Sequence, residues 1–431
     1  GYETALIGKW HMGLDAQPKP GFSHWVSFRS QGSYIDPELN VNGKTQNVKG
    51  HMTDILTDFT LEFLSKDRSA PFFVILSHIA VHEPLTVQER FAGKYEKQNV
   101  TLPLSYGENP SEKPEFLKCR SFRNDSLLTD KVKRYFETLA GIDESVGKLL
   151  DKLSEKGILD ETLIVFTSDN GYFLGEHNLV DKRAAYEESM RIPLLIRYPY
   201  WFRVSAVFPK LMALNLDIAP TLLEAAGIPA PPSMQGVSLR KLANGEAQRQ
   251  SFLYEYFFIP RDSCTPAMRA VRTQNYKYIT YFDTTQTEEL YDLVKDPVEL
   301  RNLIKDSTYA GVLKRLRFQL DSLRVITGDS TVATGVDEAA EKMVREFSLY
   351  PNYPNPFNAG TMIKYTLPST AYVLLKVFDV FGHEVETVVN EMQEAGPKSI
   401  FFDASNLASG IYFFRLFTPS FSATRKMMLI K

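Results

Sequence analysis

The sequence predicts an α/β domain that is followed by a separate all-β domain. In the first part of the chain, segments with helical apolar spacing alternate with apolar runs of strand length, at Phe72–Leu76, Leu163–Phe166 and Pro193–Ile196. Buried strands that alternate with amphipathic helices are typical of a mostly parallel sheet with helices on both faces. After Phe347 the chain shows short alternating runs broken by glycines, which predicts a β-sandwich of about 85 residues.

Apolar spacing also predicts the helices of the first part. Between His51 and Asp67 the apolar residues fall at helical intervals, and a longer helical pattern runs from Val132 to Leu153 and stops near Gly157. A third helical stretch, Leu216–Ala226, is closed by a glycine and a proline, which favour helix ends. These helices are the expected cover of the sheet.

Changes in the pattern of apolar residues along the chain predict four segments. They are an α/β domain at 1–245, a small α+β subdomain at 246–325, a linker at 326–345 and the β-sandwich at 346–431. The subdomain is predicted from aromatic strands at Phe252–Phe258 and Ala270–Phe282, followed by a helix at about Tyr309–Val325. The linker lacks any apolar period.

Composition and charge exclude several classes of protein. The formal net charge of −3 argues against a nucleic-acid partner, because such proteins usually carry a basic face. No apolar run approaches the ~20 residues of a membrane helix, so we expect no transmembrane segment. Cys119 and Cys264 are too few for a disulfide framework. The chain opens on Gly1 with neither a methionine nor a signal-peptide pattern, and we interpret it as a fragment.

An aspartate–asparagine pair, called the acidic pair after its aspartate, follows the strand that ends at Phe166. In open α/β sheets, ligands bind beyond the carboxyl ends of strands, so Asp169 and Asn170 are well placed to hold a cation. Two hard oxygen ligands side by side suit calcium or magnesium. The alternative is that Ser168-Asp169-Asn170-Gly171 simply forms a turn, since all four residue types favour turns.

Basic residues occur at the other predicted strand ends and loops. Lys9 and His11 have a two-residue spacing that puts both side chains on one face of an extended segment. His78 and His82 flank the exit of the strand at 72–77, where a pair of histidines suits general acid–base work, although one could be a packed core histidine. His177 and Lys182 follow the acidic pair. Together these side chains predict a site for a charged oxyanion beside a divalent cation.

These motifs, in this order, resemble the sulfatase family across residues 1–305. The resemblance rests on five runs: Gly1-Tyr2-Glu3-Thr4 through Gly8-Lys9-Trp10-His11-Met12-Gly13, Ser77-His78-Ile79-Ala80-Val81-His82-Glu83-Pro84, Phe166-Thr167-Ser168-Asp169-Asn170-Gly171, Gly175-Glu176-His177 to Asp181-Lys182-Arg183, and Arg191-Ile192-Pro193-Leu194. It implies an alkaline-phosphatase-like fold that hydrolyses sulfate esters with a formylglycine nucleophile.

The resemblance also implies a role for each matching residue. Asp169 and Asn170 correspond to calcium ligands, and Lys9 and Lys182 to lysines that bind the sulfate group. His11 corresponds to the histidine that helps expel sulfate from the covalent intermediate, and His82 to the acid that protonates the leaving alcohol. His177 corresponds to a contact with substrate or sulfate, and we group His78 with it as a substrate-binding residue.

The nucleophile motif of the family, Cys-x-Pro-Ser-Arg, does not occur in this sequence. In the family it lies upstream of the Gly-Lys-Trp-His segment, so we expect it before Gly1 and expect the chain alone to be inactive. Cys264-Thr265-Pro266-Ala267-Met268-Arg269 resembles the motif only superficially, because its arginine is one residue too far along. We interpret Cys264 as an ordinary loop cysteine.

A weaker similarity indicates the class of substrate. Gln31-Gly32-Ser33-Tyr34 and Val41-Asn42-Gly43-Lys44 resemble the N-acetylglucosamine-6-sulfatase group, which implies a sulfated glycan, with an amino-sugar 6-O-sulfate as the expected ester. Two alternatives stay open at this point. One is a phosphodiesterase or phosphonate hydrolase of the same superfamily, and the other is a glycan-binding protein without catalysis.

The tail resembles the type A sorting domain of the type IX secretion system. The resemblance rests on Tyr350-Pro351-Asn352-Tyr353-Pro354-Asn355-Pro356-Phe357-Asn358, Gly382-His383-Glu384-Val385, Leu407-Ala408-Ser409-Gly410-Ile411-Tyr412 and Lys426-Met427-Met428-Leu429-Ile430-Lys431. It implies a partner, the type IX machinery, and export through the periplasm and across the outer membrane to the cell surface or the medium. The alternative is a carbohydrate-binding sandwich.

Overall fold

A computed structural model describes residues 1–12, 16–109, 113–119, 121–231, 233–257, 265–282, 287–327 and 347–430. The chain divides into two compact units, Gly1–Arg324 and Val325–Lys431. Most of the predicted linker, residues 328–345, lies outside the described residues, as does Cys264. Within the described part of the chain, no helix combines the length and apolar character needed to cross a membrane.

The first unit is built on a five-stranded mixed sheet. In spatial order its strands are β4 (Lys44–Asn47), β3 (Glu38–Val41), β2 (His24–Ser27), β1 (Glu3–Gly8) and β5 (Phe72–Ser77). β1 pairs in parallel with both of its neighbours, while β3 and β4 are antiparallel additions at one edge. β1 lies between β2 and β5, and its Ala5, Leu6 and Ile7 are buried. The predicted α/β sheet is therefore present, with an antiparallel edge that the apolar runs did not indicate.

Two helices pack against each other and complete this core. They are α1 (Met52–Ser65) and α3 (Asp125–Glu155), and the short α2 (Phe116–Cys119) lies between them in sequence. Asn124 caps α3, since its side chain accepts a hydrogen bond from the Leu127 amide at 3.0 Å. Between the helices, the Thr57 and Ser145 hydroxyls are 2.7 Å apart, which satisfies two buried polar groups.

The two remaining predicted strands form a pair of their own. β6 (Ile164–Thr167) and β9 (Leu194–Arg197) are antiparallel, and each lies within one residue of the predicted run. Between them the chain forms a small hairpin, β7 (Phe173–Leu174) with β8 (Val180–Asp181), and the one-turn helix α4 (Glu187–Met190). An apolar run indicates a buried strand but not its partner, so the sequence did not reveal this pairing.

The predicted α+β subdomain is an antiparallel sheet covered by a helix. Its strands are β10 (Ser251–Tyr256), β11 (Met268–Thr273), β12 (Tyr276–Tyr281) and β13 (Glu288–Asp292). The preceding helices are α5 (Ile218–Ala225) and α6 (Leu239–Ala243), and the covering helix is α7 (Ala310–Thr327). Leu316 and Leu320 of α7 pack on one face of the sheet, and Tyr186 beside α4 packs on the other. The last two residues of α7 fall inside the predicted linker.

The second unit is a β-sandwich. One sheet contains β14 (Ser348–Leu349), β15 (Gly360–Leu367) and β18 (Gly396–Asp403). The other contains β17 (Glu384–Gln393), β16 (Ala371–Phe378), β19 (Gly410–Thr418) and β20 (Phe421–Leu429), and every pairing is antiparallel. Alternate residues of β16 are buried, which is the period of two that the sequence predicted. Met427 and Leu429 of the last strand are buried in the core between the sheets.

Candidate active site

The ends of two parallel strands bring Lys9 beside the loop that carries His82. Gly8 pairs with Ser77, and the Lys9 amide donates a hydrogen bond to the Ser77 carbonyl at 2.8 Å. Gly8 has φ of +116°, and a Cβ at this position would lie 2.0 Å from the Ser77 carbonyl oxygen. Because no other residue fits there, the glycine is what allows the two strand ends to approach so closely.

Electrostatics place Lys9 and His11 within one cluster of charged groups. Burial and Lys182 lower the pKa of Lys9, while Asp169 opposes them. Burial, Lys9, His82 and Lys182 lower the pKa of His11, and Asp169 again opposes them. The lowered pKa keeps the His11 imidazole neutral at pH 7, as a proton acceptor requires. Lys9 and His11 therefore lie within electrostatic range of Lys182 and Asp169, and His11 also lies within range of His82.

Asp169 and Asn170 lie just after β6, and Ser168 separates them from its end. The Asp169 carboxylate is exposed and accepts a hydrogen bond from the Asn170 amide at 2.9 Å. The Asn170 side-chain amide donates to the Gly171 carbonyl at 2.7 Å, so its nitrogen is held within the loop and its oxygen is the atom suited to a cation.

Asp169 and Asn170 are suited to be two of the ligands of a calcium ion. Calcium takes six to eight oxygen ligands at about 2.3–2.6 Å, and a carboxylate with an amide oxygen is an ordinary part of such a set. In the described ranges, no group of three or more His, Cys, Asp or Glu side chains comes together in a way that could hold a metal. Asp169 and Asn170 would therefore need further oxygen ligands.

The loop that carries Asp169 and Asn170 is hydrogen-bonded to α4. The Gly171 amide donates to the Ser189 carbonyl at 2.9 Å, and a Cβ on Gly171 would lie 2.0 Å from the Glu188 carbonyl oxygen. The β7–β8 hairpin then returns the chain, so that Lys182 follows β8 directly. Lys182 therefore lies at the end of a hairpin that begins shortly after Asn170.

His82 is oriented by one contact to its ring and one to its backbone carbonyl. Its Nδ1 lies 2.7 Å from the Glu83 carbonyl oxygen, which can only accept, so Nδ1 carries the proton in the neutral ring. The His82 carbonyl accepts a hydrogen bond from the Tyr34 hydroxyl at 2.7 Å. The second ring nitrogen, Nε2, is then the one that can take up and release a transferred proton.

His78 lies among packed polar groups. Its Nε2 is 3.2 Å from the Ser145 hydroxyl, and its Nδ1 is inaccessible to solvent. Burial lowers the pKa of His78 to about 4, so the ring is neutral. These are the contacts of a packed histidine, which is the alternative that the sequence left open for this pair.

His177 is held between two carboxylates in the interior. Its Nδ1 is 2.9 Å from Glu108, its Nε2 is 3.6 Å from Glu188, and its side chain is 0% exposed. Burial opposes a charge here, but the hydrogen bond with Glu108 and the nearby Glu188 carboxylate outweigh it and raise the pKa of His177. The ring also stacks on Tyr186, with 4.3 Å between centroids.

Several side chains of this region were not assigned a role from the sequence. Gln31 accepts a hydrogen bond from the Lys9 ammonium at 2.8 Å, and Tyr34 orients His82. Both were named only as markers of a substrate group. Glu108 and Glu188 pair with His177 across 69 and 11 residues of sequence. Such contacts depend on tertiary structure, and no local spacing indicates them.

Family profiles match most of the chain. The profile described as Sulfatase matches residues 1–228. The profile described as N-sulphoglucosamine sulphohydrolase, C-terminal, matches residues 175–326. A third, described as Secretion system C-terminal sorting domain, matches residues 352–431, which lie within the second unit.

Known proteins are similar over much of the same length. The N-acetylglucosamine-6-O-sulfatase of Bacteroides thetaiotaomicron is 30% identical over 389 residues, covering 73% of this chain and 69% of that protein. The N-acetylglucosamine-6-sulfatase of Homo sapiens is 28% identical over 393 residues, covering 78% and 69%. A solved structure in complex with its substrate, D-glucosamine-2-N,6-O-disulfate, aligns with a TM-score of 0.72 at 28% identity, covering 77% of this chain and 81% of that chain.

Proposed function

Because the chain belongs to the sulfatase family, we propose that it removes the 6-O-sulfate group from amino-sugar residues of sulfated glycans outside the cell. The observation that carries the proposal is that Lys9 and His11 lie within electrostatic range of Asp169 and Lys182, with His11 also in range of His82. Cations around an exposed carboxylate suit a negatively charged sulfate ester beside a calcium ion. The amino-sugar substrate is proposed from the names of the similar proteins.

We assign the sulfate-binding and proton-transfer work to these side chains. Lys9 and Lys182 hold the negative oxygens of the ester, and Gln31 keeps the Lys9 ammonium in place. His82 donates a proton to the leaving alcohol from Nε2, while its Nδ1–H keeps its hydrogen bond to the Glu83 carbonyl oxygen. His11, neutral at pH 7, serves as a proton acceptor.

Two groups that the family uses would complete the chemistry. A calcium ion held by Asp169 and Asn170 would offset negative charge on the ester oxygens. A formylglycine would supply the nucleophile. The residues of this chain would then bind, orient and protonate the substrate.

We propose indirect roles for His78 and His177. The His78 ring is occupied with Ser145, so it supports the strand exit from which His82 emerges. The His177 ring is enclosed by Glu108 and Glu188, and Glu188 belongs to the same short helix, α4, that fastens Gly171. Both histidines would therefore position the site rather than contact the sugar.

The sorting domain at 352–431 supports export to the cell surface or the medium. We propose the type IX machinery as the partner, and passage through the periplasm as the route. The β-sandwich forms a unit of its own, so it can be recognised independently of the catalytic unit.

A comparison of three esters tests the proposed function. The native gene product is incubated with N-acetylglucosamine 6-sulfate, an aryl sulfate and an aryl phosphonate monoester. We expect turnover of both sulfates, with Lys182→Met lowering kcat/KM for the sugar sulfate about 100-fold, as for a lost oxyanion contact. Faster turnover of the phosphonate would overturn the proposal in favour of the phosphonate hydrolase. Tight binding of the sugar sulfate with no turnover would favour the glycan-binding alternative.

A further inference from the structure

Three elements of the first unit meet at the side chain of Glu83. Glu83 follows His82 in the loop after β5, and one of its oxygens, Oε1, contacts the Lys131 ammonium of α3. The same oxygen accepts a hydrogen bond from the Tyr172 hydroxyl at 3.1 Å. Tyr172 lies two residues after Asn170. One carboxylate oxygen thus joins the proton-donor loop, the long helix and the metal-binding loop.

The lysine of this ion pair is covered, whereas the Glu83 side chain is 50% exposed. The Lys131 side chain is only 18% exposed, and its ammonium lies 5.3 Å from the centre of the Tyr172 ring. Tyr172 in turn stacks on Tyr135, one helical turn further along α3, with 6.3 Å between centroids. Exposed ion pairs contribute little to stability, but a covered cation with two partners from different loops restricts both of them.

From these contacts we infer that Lys131 is a positioning residue, which fixes the His82 loop against the Asp169–Asn170 loop through Glu83 and Tyr172. The inference rests on the proposed function, because it concerns the placement of the proton donor relative to the cation site. Glu83 acts twice: its carbonyl holds the His82 ring, and its carboxylate holds the loop. We call Lys131, Glu83 and Tyr172 the Lys131 link.

The helix α3 gives the link a rigid base. It runs from Asp125 to Glu155, and its buried Ser145 is bonded to Thr57 of α1 and to His78 at the strand exit. The loop that carries His82 is therefore held at its start by His78 and a few residues later by Glu83. Movement of either catalytic loop relative to α3 would break at least one of these contacts.

Hydrogen exchange measured on this chain without added metal tests the link. The variant Lys131→Met keeps the aliphatic stem and removes the charge. We expect exchange in peptides covering 78–84 and 168–174 to rise about five-fold, as for a lost contact of ordinary strength. Lys131→Arg should restore much of the protection. The matched control is Lys133→Met, two residues along α3, whose ammonium contacts the Glu96 carbonyl at 2.7 Å, and it should leave both loops unchanged.

Calcium titration separates this inference from the proposed function. In the wild-type chain and Lys131→Met, we expect the calcium Kd to differ by about five-fold, the lower end of ordinary coupling between two sites. If the wild-type chain binds no calcium, the proposed metal site fails, and the exchange result alone decides the link. Unchanged exchange in either loop, or an equal rise throughout the unit, would overturn the inference.

Discussion

Replacement of Lys277 by methionine should strongly destabilise the first unit and loosen the loop that carries Asp169 and Asn170. The Lys277 ammonium is fully buried, 2.9 Å from Glu187 and 2.7 Å from Glu299. Glu187 begins α4, and its amide donates to the other Glu299 oxygen at 2.8 Å. Since Ser189 of α4 holds the Gly171 amide, this buried network supports the loop that carries Asp169 and Asn170.

The expected loss is about 3 kcal/mol. Removing one partner from a buried ion pair costs about 3–5 kcal/mol, because the remaining charge is left without compensation. Arg272 still contacts Glu187 at 3.3 Å, so only Glu299 loses its cation entirely and the lower end of that range applies. The double variant Lys277→Met with Glu299→Gln should recover part of the loss, because the uncompensated carboxylate is then gone.

Urea unfolding followed by tryptophan fluorescence measures this loss. All three tryptophans, Trp10, Trp25 and Trp201, belong to the first unit, so the signal reports on that unit and not on the sandwich. Lys295→Met is the control, since Lys295 is 75% exposed and its loss should change the free energy by less than about 0.5 kcal/mol. A loss below about 1 kcal/mol for Lys277→Met, or no recovery in the double variant, would refute the reasoning.

The same network predicts that the first unit loses stability at low pH. Burial alone would raise the pKa of Glu187, but Lys277 and Arg272 lower it from 4.5 to about 2. The stability from this carboxylate is complete above pH 4.5 and is lost as the pH falls toward 2, a change of roughly 3 kcal/mol. In Lys277→Met this loss between pH 4.5 and 2 should shrink, and an unchanged acid profile would contradict the assignment.

Three further predictions concern the site and the tail. Asp169→Ala should remove calcium binding by the chain, because the pair loses its one anionic ligand; an unchanged calcium isotherm would count against the metal site. His82→Ala in the native gene product should slow alkyl sulfates about 100-fold more than activated aryl sulfates, which need little protonation, and equal losses would assign His82 another role. Deleting residues 346–431 should leave turnover intact but block export; cell fractionation that finds the truncated enzyme at the surface or in the medium would contradict this.

Much of the architecture could be predicted from local patterns. The strand at Phe72–Leu76 was placed to within a residue, and the alternation in β16 identified the sandwich. The matches to known proteins confirm the sulfatase-type fold and the sorting tail. What periodicity could not supply was strand pairing: Ala270–Phe282 was read as one stretch, whereas the turn between Thr273 and Tyr276 divides it into a hairpin.

The chemistry of the site was predictable only in part. The sequence pattern placed Asp169 after a strand, and the structure shows it there. Lys9 was expected in a loop or an extended segment, and it directly follows β1, a strand that the apolar runs did not indicate. For His78 and His177, sequence could not distinguish a substrate contact from a buried ring, because burial depends on groups such as Ser145 and Glu108 from distant segments. The Lys131 link joins residues 41 to 89 positions apart and has no local signature.

The last strand of the sandwich makes synthesis and export sequential. β20 (Phe421–Leu429) pairs along β19 and contributes Met427 and Leu429 to the core, so the two sheets cannot close before residue 429 is available. Domains fold as units, so this one cannot fold before β20 has left the ribosome. A chain that terminates before β20, through a nonsense codon or a stalled ribosome, would lack a folded sorting signal. A folded tail therefore reports that translation has passed residue 429.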